Sequence, residues 1–224
     1  MAQQVQSSRD GRPRLSRERV VDTAIALADA GGIEAISMRR LARELGVEAM
    51  SLYHWFAGKD QILQGMLDTV WSEVELPVAS EGWRPALRRT AVSAYRALLR
   101  HPWATGLLGS TALVSPARLA WMDAVLARLR EAGLTPELID LGYHVLDSHI
   151  EGVVLWVTPI IRLDRERPNY VAEFLAEHPL DSLPDMAAHV AYHLAPQPKV
   201  VSPFEFGLDL ILDGLERSLP APPA

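Results

Sequence analysis

Apolar residues recur along this chain at the three- and four-residue spacing of helices almost from end to end. Val20, Val21, Ala24, Ile25, Leu27 and Ala28 make the first apolar face, with Ser16 placed to cap its start and Gly31-Gly32 to end it. Ser37 is the next cap, opening a helix over residues 38–45 in which Leu41 and Leu45 face inward while Arg39, Arg40 and Arg43 face out. Gly46 suits a left-handed stop and a sharp turn. A second short helix follows, with Val47 anchoring the turn and Leu52 and Phe56 continuing an apolar side. Its other side offers Ala49, Met50, Ser51, Tyr53, His54 and Trp55. A further helix over residues 61–75 carries Ile62, Leu63, Met66, Leu67, Val70 and Trp71, until Pro77 and the stretch to Gly82 interrupt it.

Beyond Gly82 the pattern stays helical. Residues 83–100 place Leu87, Ala91, Ala94, Tyr95 and Leu98 inward, and Pro85 falls in the first turn, where proline is tolerated. A short helix over 103–108 and one over 116–132, opened by Ser115-Pro116 and closed by Gly133, come next. Thr135-Pro136-Glu137 starts a long apolar helix expected to end near Pro159. Between residues 164 and 203 charge and six prolines weaken the pattern to two short helices, around 169–177 and 184–194. The last helix, over 204–219, carries Phe204, Leu208, Ile211, Leu212 and Leu215. No strand-like alternation is sustained, so the expected fold is all-α. The expected organisation is a flexible basic arm over 1–14 with Arg9, Arg12 and Arg14, a three-helix head over 15–76, an antiparallel helical body over 77–219, and a disordered tail over 220–224.

Composition narrows this picture. The 224 residues are 49% hydrophobic and 22% charged, a globular balance with room for a head and a body. There is no cysteine, which removes disulfides, thiolate metal sites and cysteine nucleophiles. The polar N-terminus and the lack of a long apolar run predict no secretory signal and no membrane span, with the cytoplasm as the default location. The net charge of -6 argues against a chain that coats nucleic acid with its whole surface. Its distribution matters more: residues 1–59 carry nine Lys/Arg against seven Asp/Glu, and the remainder thirteen against twenty-one. The basic balance lies in the head.

Two short helices around Gly46 are helix-turn-helix patterning, in which the first braces and the second presents small and polar side chains to a major groove about 12 Å wide. Lys59 stands near the start of the following helix, where unsatisfied N–H groups also attract phosphate. Other features admit two readings. Asp140, His144, Asp147 and Glu151 form one polar stripe on the long helix. It suits a solvated or dimer-facing surface, contact with a small molecule, or the metal and acid-base chemistry of a small all-α hydrolase. His189 and His193 have the i,i+4 spacing that clamps zinc, without a nearby third ligand. Trp103, Leu107, Trp121 and Trp156 suit either core or an apolar pocket, with His101 or His149 supplying a polar contact.

The sequence A-D-A-G-G, then S-M-R-R-L-A-R-E-L-G-V, then S-L-Y-H-W-F-A-G-K-D-Q-I-L over residues 28–63 resembles the tetracycline-repressor (TetR) family of bacterial transcription regulators. F-E-F-G-L-D-L-I-L-D-G-L-E-R-S-L over 204–219 and G-W-R-P-A-L-R over 82–88 look like the body of its tetracycline-repressor branch. The resemblance implies a DNA-binding repressor, not an enzyme, without cofactor. It implies a homodimer built on residues 135–156 and 204–219, a double-stranded operator as partner, and a small-molecule effector. Carried over position by position, Arg39, Ser51, Tyr53, His54 and Lys59 fall where family members meet DNA. Arg39, Tyr53 and Lys59 suit phosphates, and Ser51 with the Ala49 and Met50 surface suits base edges. The branch binds a magnesium-chelated tetracycline through a histidine and a glutamate, and here those places hold Leu108 and Trp156. The implied effector is therefore apolar or aromatic and carries no metal. A helical adaptor that has lost DNA binding is the remaining alternative.

Overall fold

The computed structural model describes residues 14–78, 80–108, 115–195 and 202–220. The expected arm lies outside them apart from Arg14, as does the expected tail apart from Pro220. Among the described residues all regular structure is helical, with eleven α-helices and one 3-10 turn and no strand. The chain packs as two compact units that divide between Met66 and Leu67.

The first unit begins with α1, Arg17–Gly31, whose Ser16 side chain accepts from the Arg19 N–H. The 3-10 turn Ile33–Ala35 leads to α2, Met38–Leu45, capped by Ser37 through the Arg40 N–H. Gly46 adopts φ 67° and ψ 36°, and its N–H meets the Ala42 and Arg43 carbonyls. A side chain at that left-handed position would be strained, so glycine fixes the turn. After it, α3 is short, Ala49–Tyr53. Trp55, expected on that helix, lies beyond it in a turn in which its N–H bonds to the Leu52 carbonyl. Leu41, Leu52, Phe56 and Ile62 are fully buried or nearly so and hold the short helices on α1 through Val20 and Ala24.

Helix α4, Lys59–Ser72, crosses the division, starting two residues before and ending three before the expected limits. The Gln61 side chain accepts from the Ala57 N–H at 2.8 Å, which fixes the turn into it. In the second unit, α5, Trp83–Arg100, packs against both α8, Pro136–Glu166, and α11, Pro203–Arg217. Between them come α6, Trp103–Leu108, and α7, Pro116–Glu131. Two Arg residues of α5 face four acids of α11: Arg84 meets Asp213 and Glu216, and Arg88 meets Glu205 and Asp209. Such part-exposed pairs contribute about 0–1 kcal/mol each and mainly set register. Close approach of α8 and α11 depends on Gly207, where a Cβ would lie 2.3 Å from the His149 ring.

Helix α8 does not stop at Pro159 but runs seven residues past it. Proline removes the bond to the Leu155 carbonyl and crowds it, yet the helix continues along a stretch in which Leu155 and Trp156 are more than half exposed. Helices α9, Tyr170–Glu177, and α10, Pro184–Leu194, bury none of their residues within the chain.

Candidate DNA interface and the polar centre of the body

The short α3 decides what the head can present. With five residues it buries only Leu52 and leaves Met50 71% exposed, Tyr53 48% exposed and His54 exposed at its end. Ala49 and Ser51 are half-buried, and Arg39 and Lys59 are exposed. An open groove of about 520 Å³ runs between α2 and α3, lined by Met38, Arg39, Ala42, Arg43, Val47, Glu48, Ala49 and Tyr53. Arg39, Ala49 and Tyr53 therefore share one concave surface, while Lys59 opens α4. Arg43 joins that groove although no motif singled it out, and its outward place in α2 was the available signal. A second residue without a motif is Arg17. Its Nη1 donates to the Trp55 carbonyl at 2.5 Å and its guanidinium sits 4.4 Å from the Phe56 ring centroid. That contact ties α1 to the segment after α3.

In the second unit the side chains expected to line a pocket are dispersed. Trp121 is fully buried, packs on Trp71 and Tyr143, and donates its indole N–H to Thr90 Oγ1 at 3.0 Å. Trp103 is buried beside His101, which lies 3.3 Å from Glu73. Leu107 and Leu108 are half-buried at the end of α6. His149 stacks on Phe204 and its Nε2 lies 2.9 Å from the Phe204 carbonyl, so it joins α8 to α11. Trp156 is 56% exposed. It lies thirteen residues along α8 from Tyr143, roughly 20 Å by helical rise, so it does not meet Trp121.

The polar stripe of α8 divides in two. Asp140 and His144 are exposed and 3.5 Å apart. Asp147 and Glu151 turn inward, where Arg118 Nη2 of α7 bonds to Asp147 Oδ2 at 3.0 Å and to Glu151 Oε1 at 2.8 Å. Tyr143 donates its hydroxyl to the same Asp147 oxygen at 3.2 Å. Burial, and then the Asp147 charge, push the Glu151 carboxyl up to about 7, with Arg118 offsetting part of the shift. Burial, helped by the Asp147 charge, likewise raises the Tyr143 hydroxyl. Among the described residues no group of three or more His, Asp or Glu side chains is arranged to hold a metal ion. His189 and His193 stack edge to face on α10. A second open groove, lined by Glu73, Glu75, Arg88, Arg89, Arg96 and Arg100 along α5, is charged, and three of its four guanidiniums already meet carboxylates.

A short, exposed helix set behind a braced one by a left-handed glycine, on an all-α chain with a separate helical body, is the architecture of a DNA-binding transcription regulator. Residues 20–66 match the profile described as bacterial regulatory proteins of the tetR family, and residues 76–219 match the tetracyclin repressor-like C-terminal domain. The chain belongs to the TetR family, whose members regulate transcription and are not enzymes. It is 36% identical over 222 residues to the transcriptional repressor DrrR1 of Streptomyces coeruleorubidus, covering 93% of this chain and 80% of that protein. It is 29% identical to the class C tetracycline repressor of Escherichia coli, covering 91% and 92%. Among solved structures it resembles the Streptomyces coelicolor TetR family protein ActR in complex with (S)-DNPA, with a TM-score of 0.71, 27% identity and coverage of 93% and 100%. No helix among the described residues is long and apolar enough to cross a membrane.

Proposed function

We propose that two copies of this chain act as a cytoplasmic repressor on a near-palindromic operator, and that a small apolar or aromatic effector bound in the body releases them. The observation that carries the reading is the groove of the head, where Arg39, Ala49 and Tyr53 converge beside the exposed Met50. Arg39, Tyr53 and Lys59 contact phosphates, while Ser51 and the Ala49 and Met50 surface meet base edges, with His54 at their margin. Residues 15–76 form the DNA-binding domain and residues 77–219 the effector-binding and dimerisation domain. The seven residues His101, Trp103, Leu107, Leu108, Trp121, His149 and Trp156 do not make one cavity, so the effector meets only those nearest α6 and α7. Leu108 and Trp156 offer no metal ligand, which favours an effector without magnesium. ActR supports a small-molecule effector, since it has also been solved with actinorhodin.

Dimerisation follows from what α8 and α11 leave uncovered. Leu141, Val145 and Leu155 are at least half exposed and Ser148 and Gly152 are exposed, a spacing that marks one side of α8. Phe206 and Leu210, 59% and 54% exposed, lie one turn apart on α11. Two such surfaces related by a two-fold axis bury each other.

A duplex that the protein itself selects from a random pool provides the test. Binding should weaken steeply with salt, and Tyr53→Ala should lower affinity with little change in thermal stability. Lys59→Ala should reduce the salt slope by about one. Undiminished binding by both variants would remove the head from its assigned role.

A further inference from the structure

Helix α3 is too short to hold its own direction. It has five residues, well below the roughly 12–15 at which a helix is even marginally stable in water without tertiary support. Leu52 is its one buried side chain, and the Glu48 side chain makes no capping bond at its start. The direction in which Met50, Tyr53 and His54 point is therefore set by what grips the two ends of the helix. The first end is fixed by the turn, where the Val47 N–H bonds to the Ala42 carbonyl at 2.9 Å beside the left-handed Gly46.

The far end is held by side chains from outside α3. The Leu52 carbonyl accepts from the Trp55 N–H at 2.9 Å and the Phe56 N–H at 3.0 Å, which closes the helix. The Trp55 carbonyl then accepts from Arg17 Nη1 at 2.5 Å, and the same guanidinium sits 4.4 Å from the ring centroid of Phe56, a side chain only 1% exposed. The Ala57 N–H goes to Gln61 Oε1. Residues 55, 56 and 57 are thus each gripped in turn, and Arg17 carries that grip to α1, which is seated in the core through Val20, Val21, Ala24 and Ala28. A charged donor makes a stronger bond to a carbonyl than a neutral one does. Lysine could reach the same oxygen but has no planar face to lay on Phe56.

We infer that Arg17 is a positioning residue for operator recognition: by holding the Trp55 carbonyl and the Phe56 ring against α1, it fixes the direction of α3 and so sets the discrimination between the operator and other duplexes without itself touching DNA. The inference rests on the reading of α2 and α3 as the DNA surface and adds a residue that lies outside it. Phosphate contacts carry no sequence information and are made to any duplex, whereas base contacts need side chains placed within hydrogen-bond reach of particular atoms. A looser α3 therefore loses specificity before it loses general affinity.

The test titrates full-length wild type, Arg17→Ala, Arg17→Lys and Tyr53→Ala with the duplex selected by the wild type and with a scrambled duplex of the same length and composition, over a range of salt. Arg17→Ala should bind the selected duplex about tenfold more weakly, as the loss of one charge-assisted hydrogen bond provides. Its affinity for the scrambled duplex, and the salt slope there, should match the wild type, which also shows that the variant is folded. Arg17→Lys keeps the charge and a donor and should recover part of the loss. Equal weakening on both duplexes with a salt slope reduced by about one makes Arg17 a phosphate contact and overturns the inference. Selected-duplex affinity unchanged in Arg17→Ala, or no better in Arg17→Lys than in Arg17→Ala, overturns it as well. Weak binding by Tyr53→Ala beside an unaffected Arg17→Ala removes the positioning role alone, whereas wild-type binding by Tyr53→Ala removes the DNA surface on which it rests.

Discussion

Head and body are both helical, but they are held together over different distances along the chain. In the head, caps and turns join residues three to four apart, as in Ser37 with Arg40 and Gln61 with Ala57, and the Arg17 to Trp55 contact spans 38 residues. In the body, Arg84 reaches Glu216 across 132 residues, His149 reaches Phe204 across 55, and Asp68 reaches Ala117 across 49. The head is therefore specified by short sequence signals, and the body by contacts that no single stretch announces. The two polar surfaces follow suit: the groove between α2 and α3 comes from one run of sixteen residues, 38–53, whereas the polar centre of the body assembles from α4, α7 and α8.

The comparison breaks most sharply at the two cores. Trp121→Ala empties the centre of the body and should cost about 3–5 kcal/mol, and Leu52→Ala should cost about 2–5 kcal/mol in the head. Denaturant unfolding followed by tryptophan fluorescence and by operator binding should show different parts of the profile moving in the two variants. If both shift one shared transition equally, the units do not unfold separately and head and body are stabilised as one.

A smaller effect distinguishes the body by pH. The folded state holds the Glu151 proton up to about pH 7, while the unfolded chain releases it near the usual 4.5. Between those values the native state binds more protons, so this group's contribution is complete below 4.5 and declines as pH rises through 7. The decline amounts to at most about 3 kcal/mol. Melting temperatures from pH 4.5 to 7 should show it in the wild type and not in Glu151→Gln. An identical profile for the two would mean that Glu151 stays ionised beside Arg118.

How far each region could be read from sequence follows from the same contrast. The caps Ser16, Ser37, Ser115 and Thr135, the stop at Gly46 and most helix limits were legible because each depends on neighbours within a turn. Pro159 misled because a proline disfavours a helix interior without always ending it, and whether the helix continues depends on tertiary surroundings that the sequence does not display. The stripe on α8 was visible as spacing, but not that Arg118 would draw Asp147 and Glu151 inward and leave Asp140 and His144 in solvent. Trp121 and Trp156 looked alike in sequence, and only the packing of α8 buries one and exposes the other. Arg17 carried no signal, since its partners Trp55 and Phe56 lie two helices later.

The smallest effects sharpen the contrast at two serine caps that look equivalent in sequence. Ser37 accepts only from the Arg40 N–H, at an exposed helix start, and Ser37→Ala should cost about 1 kcal/mol. Ser37→Asp should restore it, because a carboxylate serves the same N–H groups and favours the positive end of α2. Ser115 is 4% exposed and does two things: it accepts from the Arg118 N–H and donates to Asp68 Oδ1. Ser115→Ala should therefore cost more than a cap alone, toward about 2 kcal/mol, because it also leaves a carboxylate oxygen of α4 short of a donor. Ser115→Asp should fail to rescue, since it sets a second carboxylate against Asp68. Equal losses at the two serines, or rescue by aspartate at both, would show that the α7 cap is as local as the α2 cap and that Asp68 does not tie α4 to the helix carrying Arg118.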